Sequence, residues 1–235
     1  MATQFIYQFH AELEGYKPKI WRRFQVAEST AVARLGYIIM AMYEMKGSHL
    51  LSIEHERPLL TASGRKSQRT ELIERYDILD EEPHAFSPDG EDATQTMLSE
   101  LNFEDGSHLI VWYDFGDDWR VKVTLEKKLN AHELPSKELP RVLEGKGFGI
   151  VEDCGGIYGL EGLVEAFKAK EGKEYMQFSK WLGVKDFDIA KFDIDDMNFR
   201  LKKLPNIFAK IYEQRKFPTK ASIDIIERAY LKNKK

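Results

Sequence analysis

The sequence has a single cysteine, Cys154, among its 235 residues. No disulfide can therefore form within the chain, and an oxidising compartment is not indicated. No apolar run approaches the roughly 18 residues that a membrane-spanning helix needs. The first residues also lack a charged region followed by an apolar stretch. These absences predict a reduced, cytoplasmic protein that makes no membrane contact.

Several catalytic signatures are also absent. Residues 145–149 are rich in glycine, but no Gly-Lys-Ser/Thr sequence follows them as in a phosphate-binding loop. The chain has no Gly-x-Ser-x-Gly motif, and no Cys-His arrangement can be read around Cys154. The six histidines do not have the spacing of zinc ligands. We therefore predict no cofactor and no bound metal, and the question of whether the protein is an enzyme stays open.

Charge is distributed unevenly along the chain. The net charge is −4, but residues 200–235 carry 11 lysines and arginines against three acids. A basic tail of this kind predicts a nucleic-acid partner, although the same pattern is typical of solvated faces of amphipathic helices. The apolar content of 43% is sufficient for one core. We expect an α+β domain over 1–204, followed by a basic helical extension over 205–235.

Alternating apolar and polar side chains predict strands in the first part of the chain. Residues 5–13 have the pattern of a half-buried strand, and residues 20–26 predict a second strand paired with it. Residues 48–55 predict a return strand. The polar and basic residues 56–70 predict a mobile loop.

The strongest local signal is a β-hairpin over residues 109–126. Two strand-like runs flank the turn residues 115–118, and alternate side chains of the second run point to opposite faces. Residues 145–162 contain seven glycines, which predicts loops and close backbone approaches. The acidic stretch 80–95 predicts a connection. The expected sheet is therefore antiparallel.

Helical spacing of apolar residues is clearest after the second strand. Residues 32–42 predict a helix that Ser29 or Thr30 caps and that ends at Gly47. Pro205 fits the first position of a later helix, and Pro218-Thr219 fits the start of the last one. The other predicted helices cover residues 94–101, 160–170, 175–182 and 195–204, with the helix at Pro205 extending to about 216.

Three blocks, taken in order, resemble signature segments of the plasmid pRiA4b ORF-3-like family. They are Lys17-Pro18-Lys19-Ile20-Trp21-Arg22-Arg23 with Ser48-His49-Leu50 behind it, Tyr113-Asp114-Phe115-Gly116-Asp117-Asp118-Trp119, and Glu152-Asp153-Cys154-Gly155-Gly156 with Tyr158-Gly159 behind it. Residues 181–183 and 192–198 are similar to the closing segment of the family. The resemblance therefore runs from about residue 5 to about residue 204.

The resemblance implies an antiparallel α+β fold and a bacterial or mobile-element setting, but no established activity. Two departures separate this chain from the family pattern. Arg120 and Val121 stand where relatives usually have an acid and a histidine, and residues 149–151 stand where relatives usually have Cys-Pro-Pro. If that histidine serves a metal or a proton transfer in relatives, this chain has lost it.

The acids of the second and third blocks are candidate ligands, because a hairpin turn and a glycine-rich loop leave backbone free to surround a ligand. The candidates are Asp114, Asp117, Asp118, Glu152 and Asp153, with Gly155 and Gly156 beside them. Carboxylates of this kind bind hard cations, which activate water for phosphodiester hydrolysis, and Arg22 and Arg23 suit a phosphate. The alternative is that these acids and glycines serve only turn chemistry and hold the loops closed.

Aromatic and histidine side chains of the blocks allow two interpretations each. Trp21, Trp112 and Trp119 predict either an aromatic platform for bases or, more commonly for strand residues, part of the core. His49 is the one histidine within a block, and it is either a ligand or a hydrogen-bonded core residue. We therefore predict a non-enzymatic binding protein, with nucleic acid as its partner through the basic tail. The alternative is a metal-dependent phosphodiester hydrolase.

Overall fold

The computed structural model describes residues 5–60, 66–78, 90–103, 106–130 and 138–228. These residues form eight strands, six α-helices and a short 3₁₀ helix over Leu98–Glu100. The strands are β1 (Phe5–Leu13), β2 (Trp21–Ala27), β3 (Leu51–Leu60), β4 (Lys66–Asp77), β5 (Glu91–Asp92), β6 (His108–Tyr113), β7 (Trp119–Asn130) and β8 (Arg141–Lys146). The helices are α1 (Val32–Met42), α2 (Gly156–Ala169), α3 (Gly172–Leu182), α4 (Ile194–Leu201), α5 (Leu204–Tyr212) and α6 (Lys220–Ile226).

The strands form one sheet in the order β5-β4-β3-β6-β7-β1-β2-β8. Neighbouring strands are antiparallel except β4 and β5, which run parallel. The predicted pairing of β1 with β2 and the predicted β6–β7 hairpin are both present. The α+β fold, with an antiparallel sheet packed against helices, is therefore confirmed.

Helix α1 and one face of the sheet enclose the core. Phe9 on β1, Phe24 on β2 and Trp119 on β7 point to this face and are fully buried, as the period-2 alternation of strands requires. Ten of the eleven residues of α1 are buried, because α4 and α5 cover the side that faces away from the sheet. The helix begins after Ala31 without a side-chain cap, so the expected cap at Ser29 or Thr30 is wrong.

The prediction of a mobile loop over residues 56–70 is also wrong for those of its residues that the structure describes. Strand β3 continues to Leu60 and β4 begins at Lys66, while residues 61–65 lie outside the described residues. Cross-strand pairs hold this extension together, among them the ion pair between Arg57 and Glu71. Charged residues whose pattern in the sequence suggests a loop thus pair with each other across two strands.

Two further segments differ from the sequence prediction. Within 94–101 only the single 3₁₀ turn forms. The glycine-rich segment contributes the end of β8 and the first turns of α2, which begins four residues earlier than predicted. Of the predicted connection over 80–95, residues 80–89 lie outside the described residues, and Glu91–Asp92 form the short strand β5.

The C-terminal helices pack on the body of the domain. Pro205 lies in the first turn of α5, and the Thr219 side chain accepts a hydrogen bond from the Ser222 N–H at the start of α6. Arg200 and Arg228 both bind the Glu44 carboxylate. Residues 229–235 are outside the described part, and the division between 204 and 205 stays a prediction. Among the described helices, none has the length and apolar character needed to cross a membrane.

Candidate functional site

The turn between β6 and β7 is shaped by Asp114. Its Oδ1 accepts hydrogen bonds from the N–H groups of Gly116 at 3.2 Å and Asp117 at 3.4 Å, and its backbone carbonyl accepts one from the Asp118 N–H at 2.7 Å. Asp114 and Asp118 both have left-handed backbone conformations, with φ of 53° and 54°. Aspartate tolerates this region better than most residues because its short polar side chain bonds locally. One oxygen of Asp114 is thus used by the turn, and the other remains available.

Glu152 fastens the loop that follows α1. Its Oε1 accepts from the Lys46 N–H at 2.6 Å and from the Tyr113 hydroxyl, and its Oε2 accepts from the Ser48 hydroxyl at 2.8 Å. Burial, together with the charge of Glu152, raises the pKa of the Tyr113 phenol. The phenol therefore stays protonated and donates to the carboxylate. These bonds fix the backbone next to His49.

The third block docks onto the hairpin turn. Asp117 Oδ2 accepts a hydrogen bond from the Gly155 N–H at 3.2 Å. Gly156 starts α2 with φ of 68°, and a Cβ at this position would lie 2.5 Å from the Asp117 carbonyl oxygen. Only glycine allows the two backbones to approach so closely. The acids and glycines of the second and third blocks therefore hold loops together. This agrees with the interpretation that they serve turn chemistry and keep the loops closed.

His49 lies where the three blocks meet. Its Nε2 is 3.2 Å from Asp153 Oδ1 and 3.5 Å from Asp114 Oδ2. His49, Glu152 and Asp153 each offer a ligand atom, and these atoms all lie within 4.8 Å of one another. Within the described part of the chain, the buried Nε2 atom has no partner in hydrogen-bond geometry. A ring nitrogen this close to carboxylate oxygens can either form an ion pair with them or share a metal ion with them.

A cleft of about 500 Å³ opens beside His49. Its lining comes from the loop after α1, from the β6–β7 turn and from α5, and it comprises Gly47, Ser48, His49, Leu50, Asp114, Phe115, Gly116 and Tyr212. The Tyr212 hydroxyl donates to the backbone carbonyl of His49. The Asp153 side chain is 67% exposed, so solvent reaches the group from this side. This size is within the range of small-ligand sites.

The donor spacing agrees with a transition-metal site. Two ligands about 2.0 Å from one ion at the tetrahedral angle lie about 3.3 Å apart, close to the 3.2 Å and 3.5 Å measured here. Imidazole with carboxylates suits Zn²⁺ and Mn²⁺ better than Mg²⁺, which prefers oxygen ligands alone. The residues that could hold the ion are His49, Glu152 and Asp153, whose ligand atoms all lie within 4.8 Å of one another, with Asp114 beside them at 3.5 Å from the imidazole nitrogen.

Several predicted candidates lie elsewhere. Asp118 pairs with Arg120 at 2.8 Å, and Asp117 Oδ2 accepts a hydrogen bond from the Gly155 N–H. The five candidate carboxylates therefore do not form one cluster. Trp119 is completely buried, which supports the core interpretation for this tryptophan. Trp21 stacks on His10 with a centroid distance of 5.3 Å.

The expected phosphate role of Arg22 is wrong. Arg22 has no exposed surface, and its NH1 and NH2 groups donate to the backbone carbonyls of Trp21, Lys146, Gly147 and Phe148. The guanidinium also lies 4.2 Å from the centre of the Phe192 ring. Arg23 points to the opposite face of the sheet, where it pairs with Glu126 and Glu144. Neither arginine borders the cleft.

Sequence reasoning missed Tyr113, Ser48 and Tyr212 as parts of the site. Tyr113 and Ser48 lie inside the signature blocks, next to the candidates Asp114 and His49, and this position in the sequence could have identified them as site residues. Tyr212 carries no such signal, because it reaches the cleft from α5, 163 residues away from His49 along the chain.

Comparisons with known proteins agree with these blocks. The model of the plasmid pRiA4b ORF-3-like protein family matches residues 5–196. The uncharacterised protein y4hQ of Sinorhizobium fredii is 30% identical over 86 residues, which span 37% of this chain and 43% of that protein. The chain thus aligns with less than half the length of this curated relative.

A solved structure extends the similarity to the fold. The crystal structure of protein MM3350, a protein of unknown function from Methanosarcina mazei Go1, matches with a TM-score of 0.66 and 30% identity. The match covers 83% of this chain and 98% of that chain. Both relatives are uncharacterised. This chain belongs to the plasmid pRiA4b ORF-3-like family.

Proposed function

We propose that this protein is a binding protein whose cleft takes up a divalent transition-metal ion. His49, Glu152 and Asp153 are the ligands, and Glu152 also holds the loop that presents His49. The observation that carries the proposal is the position of the His49 Nε2 atom, buried between two carboxylate oxygens at 3.2 Å and 3.5 Å. Zn²⁺ accepts both imidazole and carboxylate ligands, and Mn²⁺ accepts carboxylates readily, so these two ions are suitable probes.

Phosphodiester hydrolysis has less support than ion binding. A phosphodiester substrate needs cationic groups to meet its phosphate, yet Arg22 is buried and Arg23 lies on the other face of the sheet. Three carboxylates surround His49 at the edge of the cleft: Asp114 lines the cleft, and Glu152 and Asp153 lie beside the imidazole. One divalent ion leaves this group with a net negative charge, which repels a phosphate. We therefore propose that the cleft binds the metal ion but does not bind a phosphodiester substrate.

Isothermal titration with Mn²⁺ and Zn²⁺ tests the proposal. We expect one ion per chain, and His49→Ala to weaken binding by more than the roughly 10- to 100-fold that the loss of an outer-shell partner costs, because it removes the one nitrogen ligand. Asp153→Asn replaces a carboxylate by an amide of the same shape and should weaken binding about 10-fold or more. Lys210→Ala, an exposed change on α5, is the matched control and should bind as the wild type does. Equal affinity in all four proteins would refute the site.

A second function, nucleic-acid binding by the C-terminal helices, has one specific observation in its favour. Phe217 is 96% exposed, Lys216 precedes it, and Lys220, which pairs with Asp224 at 3.3 Å, follows three residues later. An exposed ring between cations suits a stacked base beside phosphates. The basic excess is smaller than the sequence suggests, since Arg200 and Arg228 bind Glu44. This surface is the one that a role in mobile genetic elements, the setting that the family resemblance implies, would use.

Fluorescence anisotropy with mixed single-stranded DNA and RNA tests this second function. Affinity should fall as salt rises from about 50 to about 200 mM, because binding releases counterions. Phe217→Ala should weaken binding by about 1 to 3 kcal/mol per stacked base, whereas Lys127→Ala on the sheet should not. Undetectable binding at low salt, or binding insensitive to salt, would eliminate this function.

A further inference from the structure

The loop over residues 43–50, which carries His49, is held from two sides. Glu152 holds it from the side of the sheet, through Lys46 and Ser48. The second attachment comes from the C-terminal helices and starts at Glu44, a residue with a left-handed φ of 65°. None of the residues that form this second attachment is a proposed metal ligand.

Two arginines hold Glu44. Arg200 NH1 donates to both carboxylate oxygens of Glu44 at 2.8 Å, and Arg228 NH1 donates to Oε2. Arg228 also pairs with Asp196 at 2.6 Å. Arg200 is 1% exposed and Glu44 is 9% exposed, so the interaction is shielded from solvent and from screening by salt. The start of the loop is therefore tied to α4 and to the end of α6.

Helix α5 holds the middle of the loop. Phe208 is fully buried and packs against Gly47, where a Cβ would lie 3.0 Å from the ring. One turn later Tyr212 donates to the His49 carbonyl and stacks on Tyr37 of α1, with centroids 5.6 Å apart. Burial raises the pKa of the Tyr212 phenol, and the nearby Tyr113 and Glu152 raise it further. Tyr212 therefore remains a hydrogen-bond donor.

All the C-terminal residues that hold this loop, namely Arg200, Phe208, Tyr212 and Arg228, follow residue 196, where the family match ends. We propose that they form a clamp that positions His49, and that docking of this clamp and metal binding in the cleft stabilise each other. The linkage rests on the metal site proposed above, whereas the positioning role does not. Tyr212 is the positioning residue in direct contact with the His49 backbone.

Linkage makes the coupling reciprocal. If the clamp raises metal affinity by some factor, then metal must favour the docked clamp by the same factor. Tyr212→Phe isolates the hydrogen bond, since it keeps the ring that stacks on Tyr37. The loss of one net hydrogen bond predicts metal binding that is weaker by about 3- to 10-fold. The metal ligands themselves are unchanged in this variant.

Hydrogen exchange and titration on the full chain test the clamp. In Tyr212→Phe without metal, amides of residues 46–50 should exchange faster than in the wild type and in the Lys210→Ala control. In the wild type, Mn²⁺ should slow exchange over residues 207–213, and His49→Ala should abolish this effect. Circular dichroism on each variant confirms that the fold is retained.

The possible results separate the two proposals. Unchanged exchange over residues 46–50 in Tyr212→Phe overturns the clamp, whether or not metal binds. Faster exchange there, combined with equal Mn²⁺ affinity in Tyr212→Phe and wild type, supports positioning and overturns the linkage. If the wild type binds no Mn²⁺, the metal site and the linkage both fail, and the exchange result still decides the positioning role.

Discussion

Replacing Glu152 by glutamine is expected to destabilise the fold through the loop after α1. The carboxylate accepts three hydrogen bonds, from the Lys46 N–H, the Ser48 hydroxyl and the Tyr113 hydroxyl, and Glu152 is 6% exposed. Glutamine has the same shape but loses the charge, and the amide nitrogen that replaces Oε2 faces the Ser48 hydroxyl, which must then change from donor to acceptor. The substitution therefore weakens all three bonds without leaving a cavity.

The magnitude follows from the three bonds. Hydrogen bonds to a charged group contribute about 1.5 to 3 kcal/mol each, against about 0.5 to 1.5 kcal/mol for neutral ones. Weakening three bonds by about 1 kcal/mol each gives a loss of about 2 to 4 kcal/mol. Tyr113→Phe removes one donor and should cost about 1.5 to 3 kcal/mol, and the double variant should cost less than the sum because the two residues share a bond.

Urea unfolding of the three variants measures these losses. Asp153→Asn is the control, because its side chain is 67% exposed and asparagine readily adopts its left-handed φ of 60°. Its free energy of unfolding should change by no more than about 0.5 kcal/mol. A Glu152→Gln variant as stable as the wild type, or strict additivity with Tyr113→Phe, would refute the description of Glu152 as the fastener of the loop.

Three further predictions concern single residues. Trp119→Ala should cost about 3 to 5 kcal/mol in urea unfolding, since the buried ring leaves a cavity in the core; a loss below about 1 kcal/mol would contradict its core position. Gly156→Ala should lower the melting temperature and disturb the α2 amides in NMR spectra, because its Cβ would lie 2.5 Å from the Asp117 carbonyl; an unchanged melting temperature would argue against this contact. Burial, with the charge of Asp117 nearby, raises the pKa of the Cys154 thiol to about 12, so at pH 8 its thiolate fraction is roughly a thousandth of that of an ordinary thiol. Iodoacetamide labelling should accordingly be much slower than that of glutathione and should rise with pH well beyond 9; labelling at the rate of glutathione would contradict this environment.

Local patterns in the sequence predicted the elements whose periodicity is strong. The β6–β7 hairpin, strand β1 and helix α1 carry clear period-2 or helical spacing, and all three are present. The extension of β3 and β4 past residue 56 was missed because its polar and basic residues suggest a loop, whereas the two strands are joined by backbone pairing that needs no apolar face. The strand tolerates Pro58 because this residue pairs only with β4, beyond the last β3–β6 pair at Glu56 and His108.

The site could be predicted only in part, because it depends on contacts between distant segments. The turn chemistry of Asp114 and the glycine requirement at Gly156 can be read locally. The approach of His49 to Asp114 and Asp153 joins residues 65 and 104 positions apart, and no spacing rule captures it. Arg22 illustrates the converse error, since an arginine in a polar block looks exposed until the carbonyls around it are known.

Anomalous diffraction from crystals grown with Mn²⁺ tests the central claim most directly. We expect one strong anomalous peak within about 2.0 to 2.3 Å of His49 Nε2 and of oxygens of Glu152 and Asp153. Crystals of the His49→Ala variant, grown with Mn²⁺ in the same way, should lack this peak. No peak at this position in the wild type, or a peak that persists without the imidazole, would contradict the assignment of the cleft as a metal site.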